Sequence, residues 1–158
     1  MNQDQFIRQI EDCQGTVRRF LVALCCGDAA LADDIAQDTF VKAYLACDSF
    51  REDSKFTSWI FRIAYNTFLS NRRSTREYET LSGNENVYST IESDSQFEYQ
   101  ALYDALSRLN ERERSAILFH YMQGYSVKEI AELTQSSIDA VKQQLSRGRQ
   151  HLRSLITE

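Results

Sequence analysis

The sequence predicts an all-α protein: two small helical domains joined by an acidic flexible linker, the second a helix-turn-helix bundle. Three observations predict it. Apolar residues recur at three- and four-residue spacing along most of the 158 residues. Proline is absent, glycine is scarce, and no alternating run rich in Val, Ile and Thr marks a strand. One polar stretch, from Ser74 to about Gln96, interrupts the helical pattern and divides the chain.

The first element is carried by Phe6, Ile10, Cys13, Val17, Phe20 and Leu24, an amphipathic stripe over roughly residues 3–25. Gly27 breaks it, and Asp28 is positioned to cap the next helix. In that helix Ala36, Phe40, Ala43 and Cys47 recur on the side expected to face a core. Asp34, Gln37 and Asp38 fall on another face, beside Asp33. A short polar loop follows, with an aromatic at each end, Phe50 and Phe56. The helix after it has Trp59, Ile63 and Ala64 as its expected buried side, while Arg62, Asn66, Arg72 and Arg73 project elsewhere. One contiguous stretch thus offers an acidic helix face, an aromatic-bearing loop and a basic helix end. That combination suits a protein gripping both a basic partner and melted DNA.

Beyond the linker, Leu102, Ala105, Leu106 and Leu109 form a new stripe. Asn110 with Glu113, and Ser126 with Glu129, have the spacing at which cap and third helical residue satisfy each other's backbone donors. Gly124 is suited to ending the helix between them. After the break TQSS, Ser136 or Ser137 can cap a last helix that buries Val141, Leu145, Gly148, Leu152 and Leu155. Its solvent face is Lys142, Gln143, Ser146, Arg147 and Gln150. A short helix, a tight turn and a longer basic helix is the layout of a helix-turn-helix. Lys, Gln and Arg can read base edges or bind phosphates.

The net charge of −5 argues, as a sum, against nonspecific coating of DNA, yet the charges segregate. Arg51, Lys55, Arg62, Arg72, Arg73 and Arg76 cluster in the middle. Lys142, Arg147, Arg149 and Arg153 cluster near the end, and the linker is acidic. The four cysteines have no metal-ligand spacing and lie far in sequence from both histidines, so reduced buried thiols are expected and no metal or cofactor. No nucleophile–base set or phosphate loop supports an enzyme or a small-molecule substrate. The N-terminus lacks the order of a signal peptide and no stretch suits a membrane span, which predicts a cytoplasmic protein.

The chain resembles bacterial extracytoplasmic-function sigma factors, small specificity subunits of RNA polymerase. DDIAQDTFVKAY resembles their core-binding motif, and FTSWIFRIAYN their promoter-melting and minus-ten helix. LNERERSAILFHYMQGYSVKEIAELTQSSIDAVKQQLSRGRQHL resembles their minus-thirty-five domain. The resemblance implies a core-binding and minus-ten domain over 1–76, a linker over 77–96 that threads polymerase channels, and a minus-thirty-five domain over 97–158. It implies that Asp34, Gln37, Asp38 and Phe40 contact the clamp helices of the largest polymerase subunit, with the flap region as a further contact. Phe50, Arg51, Ser54, Lys55, Phe56, Arg62, Asn66, Arg72 and Arg73 would serve the minus-ten element, the loop holding a flipped base with Asn66 beside it. Phe56 and Trp59 suit core packing equally well. Ser126, Ser137, Lys142, Gln143, Ser146, Arg147 and Arg149 would serve the minus-thirty-five element, with Arg149 on a phosphate or in packing.

Departures from the family pattern are Gln135 and Asp139 in place of Gly, Gln144 in place of Arg, and Asn110 in place of Pro. The first of these predicts left-handed strain in the turn. The resemblance further implies an anti-sigma factor as a partner. Two other functions compete: a stand-alone helix-turn-helix transcriptional regulator, which would bind duplex DNA without polymerase, and a protein-interaction scaffold that never touches DNA.

Overall fold

The computed structural model describes the backbone of residues 1–82 and 99–156, and side chains for 1–75 and 99–156. Among the described residues the chain is helical, with no strand. The helices are α1 (Gln3–Leu24), α2 (Ala29–Leu45), α3 (Phe56–Ser82), α4 (Gln100–Ser107), α5 (Glu111–Ile117), α6 (Val127–Thr134) and α7 (Ile138–Ile156). A single 3-10 turn, Cys47–Ser49, follows α2, and a π-helical turn, Leu118–Met122, extends α5. Two compact units divide the chain: Met1–Leu21 with Ala30–Thr90, and Val22–Ala29 with Ile91–Glu158.

In the first unit α1 buries Phe6, Cys13, Val17 and Phe20, as its stripe predicts, together with Leu21, while Ile10 of the stripe is half-buried. Burial pushes the Cys13 thiol up to about 11, so it stays protonated near neutrality. The buried side of α2 is Ala32, Ile35, Ala36, Thr39 and Ala43. Phe40, expected in that set, is only half-buried, because the true stripe lies about one residue to its side. The phase of α3 also differs from expectation. Ile60, Phe61, Ala64, Tyr65 and Phe68 form its core side, while Trp59 and Ile63 are half-buried. Apolar residues surround much of the first three turns of α3, so periodicity alone misplaces the centre of its buried face. Phe20 and Phe61 meet edge to face at 5.2 Å, joining α1 to α3.

Helix α3 continues to Ser82, six residues into the expected linker of 77–96. Residues 74–82 lack an apolar stripe but contain no Pro or Gly, so nothing local stops helix propagation. The rest of that linker, 83–96, lies outside the described residues.

The second unit begins with the end of α1. Gly27 N–H donates to Val22 O at 2.9 Å and Cys26 N–H to Ala23 O at 3.0 Å, a closing turn with Cys26 left-handed at φ 56. Gly27 has φ +91, and a Cβ there would lie 2.7 Å from the Tyr103 ring, so this position demands glycine twice over. The buried Arg114 guanidinium completes the joint. Its Nη1 donates to Leu24 O (2.9 Å), Nε to Leu106 O (2.9 Å) and Nη2 to Leu109 O (3.1 Å). One cation thereby satisfies carbonyls at the C-terminal ends of α1 and α4, where helix dipoles favour positive charge. This joint explains why residues 22–29, expected within the first domain, group with the second.

Both predicted capping boxes form, at Asn110 with Glu113 and at Ser126 with Glu129. Of the two candidate caps for α7, Ser137 acts: its Oγ accepts from Ala140 N–H at 3.0 Å, while Ser136 Oγ bonds Thr134. Gln135 is left-handed at φ 54, ψ 43, and Ser136 N–H reaches back to Ala131 O at 2.9 Å. The turn expected to hold glycine thus carries a full side chain in the strained region. Gly148 lets α7 lie against α5, since a Cβ there would stand 2.8 Å from Ile117 Cγ1. Val141, Leu145 and Gly148 are buried as expected, but Leu152 and Leu155 are half-buried and Leu102 is exposed.

Candidate nucleic-acid interface

The face that α2 turns to solvent is not uniformly acidic. Arg18 forms an ion pair with Asp33 and lays its guanidinium over the Phe40 ring, 5.4 Å from the centroid. Gln37 Nε2 donates to the other Asp33 oxygen at 3.0 Å. Asp33, Gln37 and Phe40 are therefore engaged within the first unit. Asp34 and Asp38 are exposed and make no hydrogen bond or ion pair to a described residue. Continuing at helical spacing from them are Val41, 59% exposed, and Leu45, 77% exposed. Sequence reasoning missed these two. Their register, seven residues on from Asp34 and from Asp38, was the signal that could have found them.

The loop between α2 and α3 is built on a buried aromatic floor. Phe50 and Phe56 are buried, their centroids 5.6 Å apart, and each packs on Trp59 at 5.2 and 5.6 Å. Phe6 meets Phe56 edge to face from α1. The two phenylalanines at the loop ends are thus already stacked within the protein and offer no open face to a base. Above them Arg51, Ser54 and Lys55 are exposed, in a turn closed by Ser54 N–H to Arg51 O at 3.0 Å.

Trp59 N–H donates to Lys55 O at 3.2 Å, so Lys55 already lies on the α3 spiral. At about 100° per residue, Lys55, Trp59, Arg62, Asn66, Ser70 and Arg73 then share one face. All except the half-buried Trp59 are exposed. Arg72 is half-buried and stands off this face. Asn66 lies about 15 Å along the helix from Phe56. It stands about 10 Å along the helix beyond Trp59, on which the loop's Phe50 packs. The arrangement forms a track about 27 Å long, with cations at both ends and amide and hydroxyl groups between.

In α7 the same projection separates two classes of side chain. Gln143, Ser146 and Gln150 lie near the centre of the exposed face. Lys142 and Arg149 flank it on one side, and Arg147 flanks it on the other. In a helix laid into a major groove, central positions would be the ones to reach base edges and flanking ones the phosphate ridges. Ser126 and Ser137 are exposed helix caps. Their oxygens accept from backbone N–H groups, which leaves each O–H free to donate outward. Arg149 Nη1 donates to Tyr121 Oη at 3.1 Å. Glu113 is buried, and its Oε1 accepts from Asn110 N–H (3.2 Å) and meets His151 Nδ1 (3.2 Å).

Among the described residues there is no group of three or more His, Cys, Asp and Glu able to hold a metal ion. No helix there is long and apolar enough to cross a membrane.

Residues 9–78 match Sigma-70 region 2, and residues 99–152 match Sigma-70, region 4. The RNA polymerase sigma factor YlaC of Bacillus subtilis is 32% identical over 135 residues, covering 80% of this chain and 78% of that protein. The ECF RNA polymerase sigma factor EcfG of Rhodopseudomonas palustris is 28% identical over 144 residues, covering 89% of this chain and 79% of that protein. The solved structure of the sigma factor RpoE in complex with the anti-sigma factor NepR, from Bartonella quintana, superposes with a TM-score of 0.88 at 27% identity, covering 97% of each chain. Region 2 supplies the α2 face and the α3 track, and region 4 the helix-turn-helix. With these likenesses over nearly its whole length, the chain belongs to the RNA polymerase sigma factors of the extracytoplasmic-function type, alternative sigma factors that direct transcription initiation.

Proposed function

We propose that the chain divides the work of a sigma factor among three separate surfaces. Asp34 and Asp38 dock on basic side chains of the polymerase clamp helices, and Val41 and Leu45 extend that contact with apolar area. The α3 track receives the melted minus-ten strand: Arg62 and Arg73 hold phosphates, Asn66 reads a base edge, and the loop groups Arg51, Ser54 and Lys55 hold the strand at the track's start. Phe50 and Phe56 shape the loop from beneath. Helix α7 enters the major groove at the minus-thirty-five element, with Gln143 and Ser146 on base edges and Lys142, Arg147 and Arg149 on phosphates. Ser126 and Ser137 donate to phosphates at the groove edge. Gln143 favours adenine through a bidentate contact.

The observation that carries this reading is the α3 face, where Lys55, Arg62, Asn66 and Arg73 are exposed in one register beside a half-buried tryptophan. A strand needs spaced cations for its backbone and stacking or polar groups for its bases. An acidic face with open carboxylates lies on another helix, so the polymerase and the strand need not compete for the same groups. An anti-sigma factor is a further expected partner, as for the Bartonella quintana relative at 27% identity. The flap region of polymerase is the expected partner of the second unit.

Substituting Asn66 tests the track. Asn66→Ala is expected to flatten the preference among minus-ten variants by about 10-fold, the loss of one good amide–base contact, while holoenzyme assembly stays unchanged. Run-off transcription from a library of minus-ten variants measures it. An unaltered preference with normal initiation would remove Asn66 from base reading.

A further inference from the structure

We infer that Tyr121 is a positioning residue for DNA binding: it holds Arg149 against a backbone phosphate at the edge of the groove that α7 enters. The inference rests on the proposed entry of α7 into the major groove and adds to it a residue outside the helix-turn-helix. Its origin is the π-helical turn Leu118–Met122, closed by Gln123 N–H donating to Leu118 O at 3.2 Å across five residues. Such a turn accommodates one extra residue and rotates the next side chains around the helix axis. Leu118 and Phe119 remain buried, while Tyr121 is turned out to 60% exposure.

A side chain so exposed would be free to swing, yet this one is fixed from both sides. The His120 ring meets it edge to face, centroids 4.9 Å apart at 82°. His120 is itself held, its Nδ1 donating to Tyr125 O at 2.8 Å, an assignment required because a carbonyl can only accept. On the other side Tyr121 Oη accepts from Arg149 Nη1 at 3.1 Å. The phenol is neutral, so the charge of Arg149 is oriented without being cancelled. No carboxylate among the described residues forms an ion pair with it. Four of its five N–H donors remain for an anion of planar-fork geometry, and phosphate fits that fork. Arg149 lies seven residues from Lys142 on the same flank of α7, the flank that faces a phosphate ridge. A rigid aromatic prop against a guanidinium reduces the freedom the side chain would lose on binding.

The test uses the full chain assembled with core polymerase on a promoter fragment that retains its minus-thirty-five element, with affinity measured across a salt series. Arg149→Gln is expected to lower the slope of log affinity against log salt by about 0.9, the share of one phosphate. Tyr121→Phe keeps the ring and removes only the hydroxyl. It is expected to weaken binding about 3- to 10-fold and to lower the slope part of the way toward that of Arg149→Gln. Preference among minus-thirty-five sequences should not change. In an Arg149→Gln background, Tyr121→Phe should add nothing, because its effect passes through the arginine. Wild-type affinity and slope for Tyr121→Phe, or effects that simply multiply in the double variant, would overturn the inference. Lys142→Ala separates the two layers. If it weakens binding while Tyr121→Phe does not, only the role of Tyr121 falls; if it too is without effect, the proposed role of α7 falls and the inference with it.

Discussion

Arg114→Met will destabilise the second unit by about 3–5 kcal/mol. The methionine stem can refill much of the volume, but nothing replaces the three donors. Leu24, Leu106 and Leu109 would each lose a hydrogen bond from a charged group at 2.9–3.1 Å. Bonds of that kind contribute about 1.5–3 kcal/mol each, and a carbonyl left buried without a donor costs a comparable amount, although Leu106 O keeps its bond from Leu109 N–H. Removing the buried charge recovers some desolvation energy, so the sum falls short of three full bonds. Urea unfolding monitored by circular dichroism measures the loss, expected as a fall in midpoint of roughly 2 M. Arg114→Lys retains the charge but cannot spread across three carbonyls, and should recover only part. A loss below about 1 kcal/mol would mean that water substitutes for the guanidinium.

Asp38→Ala should weaken assembly with core polymerase by about 2–5 kcal/mol, the cost of truncating one partner of a hydrogen-bonded charge pair that becomes buried on docking. Competition for limiting core against an unaltered sigma factor is the measurement. Asp33→Ala is the internal contrast. Asp33 is already paired with Arg18 and Gln37 inside the first unit, so its removal should affect assembly far less. Equal effects at the two positions would mean that the whole acidic block acts as a diffuse field, and unchanged assembly for Asp38→Ala would remove it from the interface. Leu45→Ser should reinforce the distinction between surfaces, lowering assembly without altering promoter choice.

Local chemistry made some elements legible and left others hidden. The capping boxes at Asn110 and Ser126 could be read because a cap residue and its partner sit three positions apart, and no distant contact decides whether they bond. The left-handed Gln135 was equally readable, since the turn geometry is required whatever residue occupies it. Helix α1 showed its bounds because its apolar stripe is narrow and Gly27 ends it. The buried side of α3 was harder, since tertiary contacts choose among Trp59, Ile60, Phe61, Ile63 and Ala64. Phe50 and Phe56 looked available to a base because a loop aromatic reads the same whether it points out or down. The separation of Asp33 from Asp34 and Asp38 depends on Arg18, fifteen residues away on another helix. The Arg114 joint was invisible for a related reason. A charged residue on a short helix reads as solvated, and only the fold brings three carbonyls around it. The π-helical turn has no sequence signature at all, so at helical spacing Tyr121 reads as one more apolar residue of the helix beside Ile117 and Leu118.

The central claim is that the acidic α2 face, the α3 track and α7 serve one initiation complex. Binding of the purified chain to bacterial core RNA polymerase, then run-off transcription from a pool of promoter fragments, tests it most directly. The account predicts co-elution with core and initiation confined to a subset of fragments. It further predicts that Asp38→Ala is impaired at the first step. Asn66→Ala and Lys142→Ala bind core normally and differ only at the second, the former in a flattened choice among minus-ten sequences and the latter in weaker promoter binding. A chain that ignores core yet retains specific duplex sites by itself would contradict the account and identify a stand-alone regulator instead.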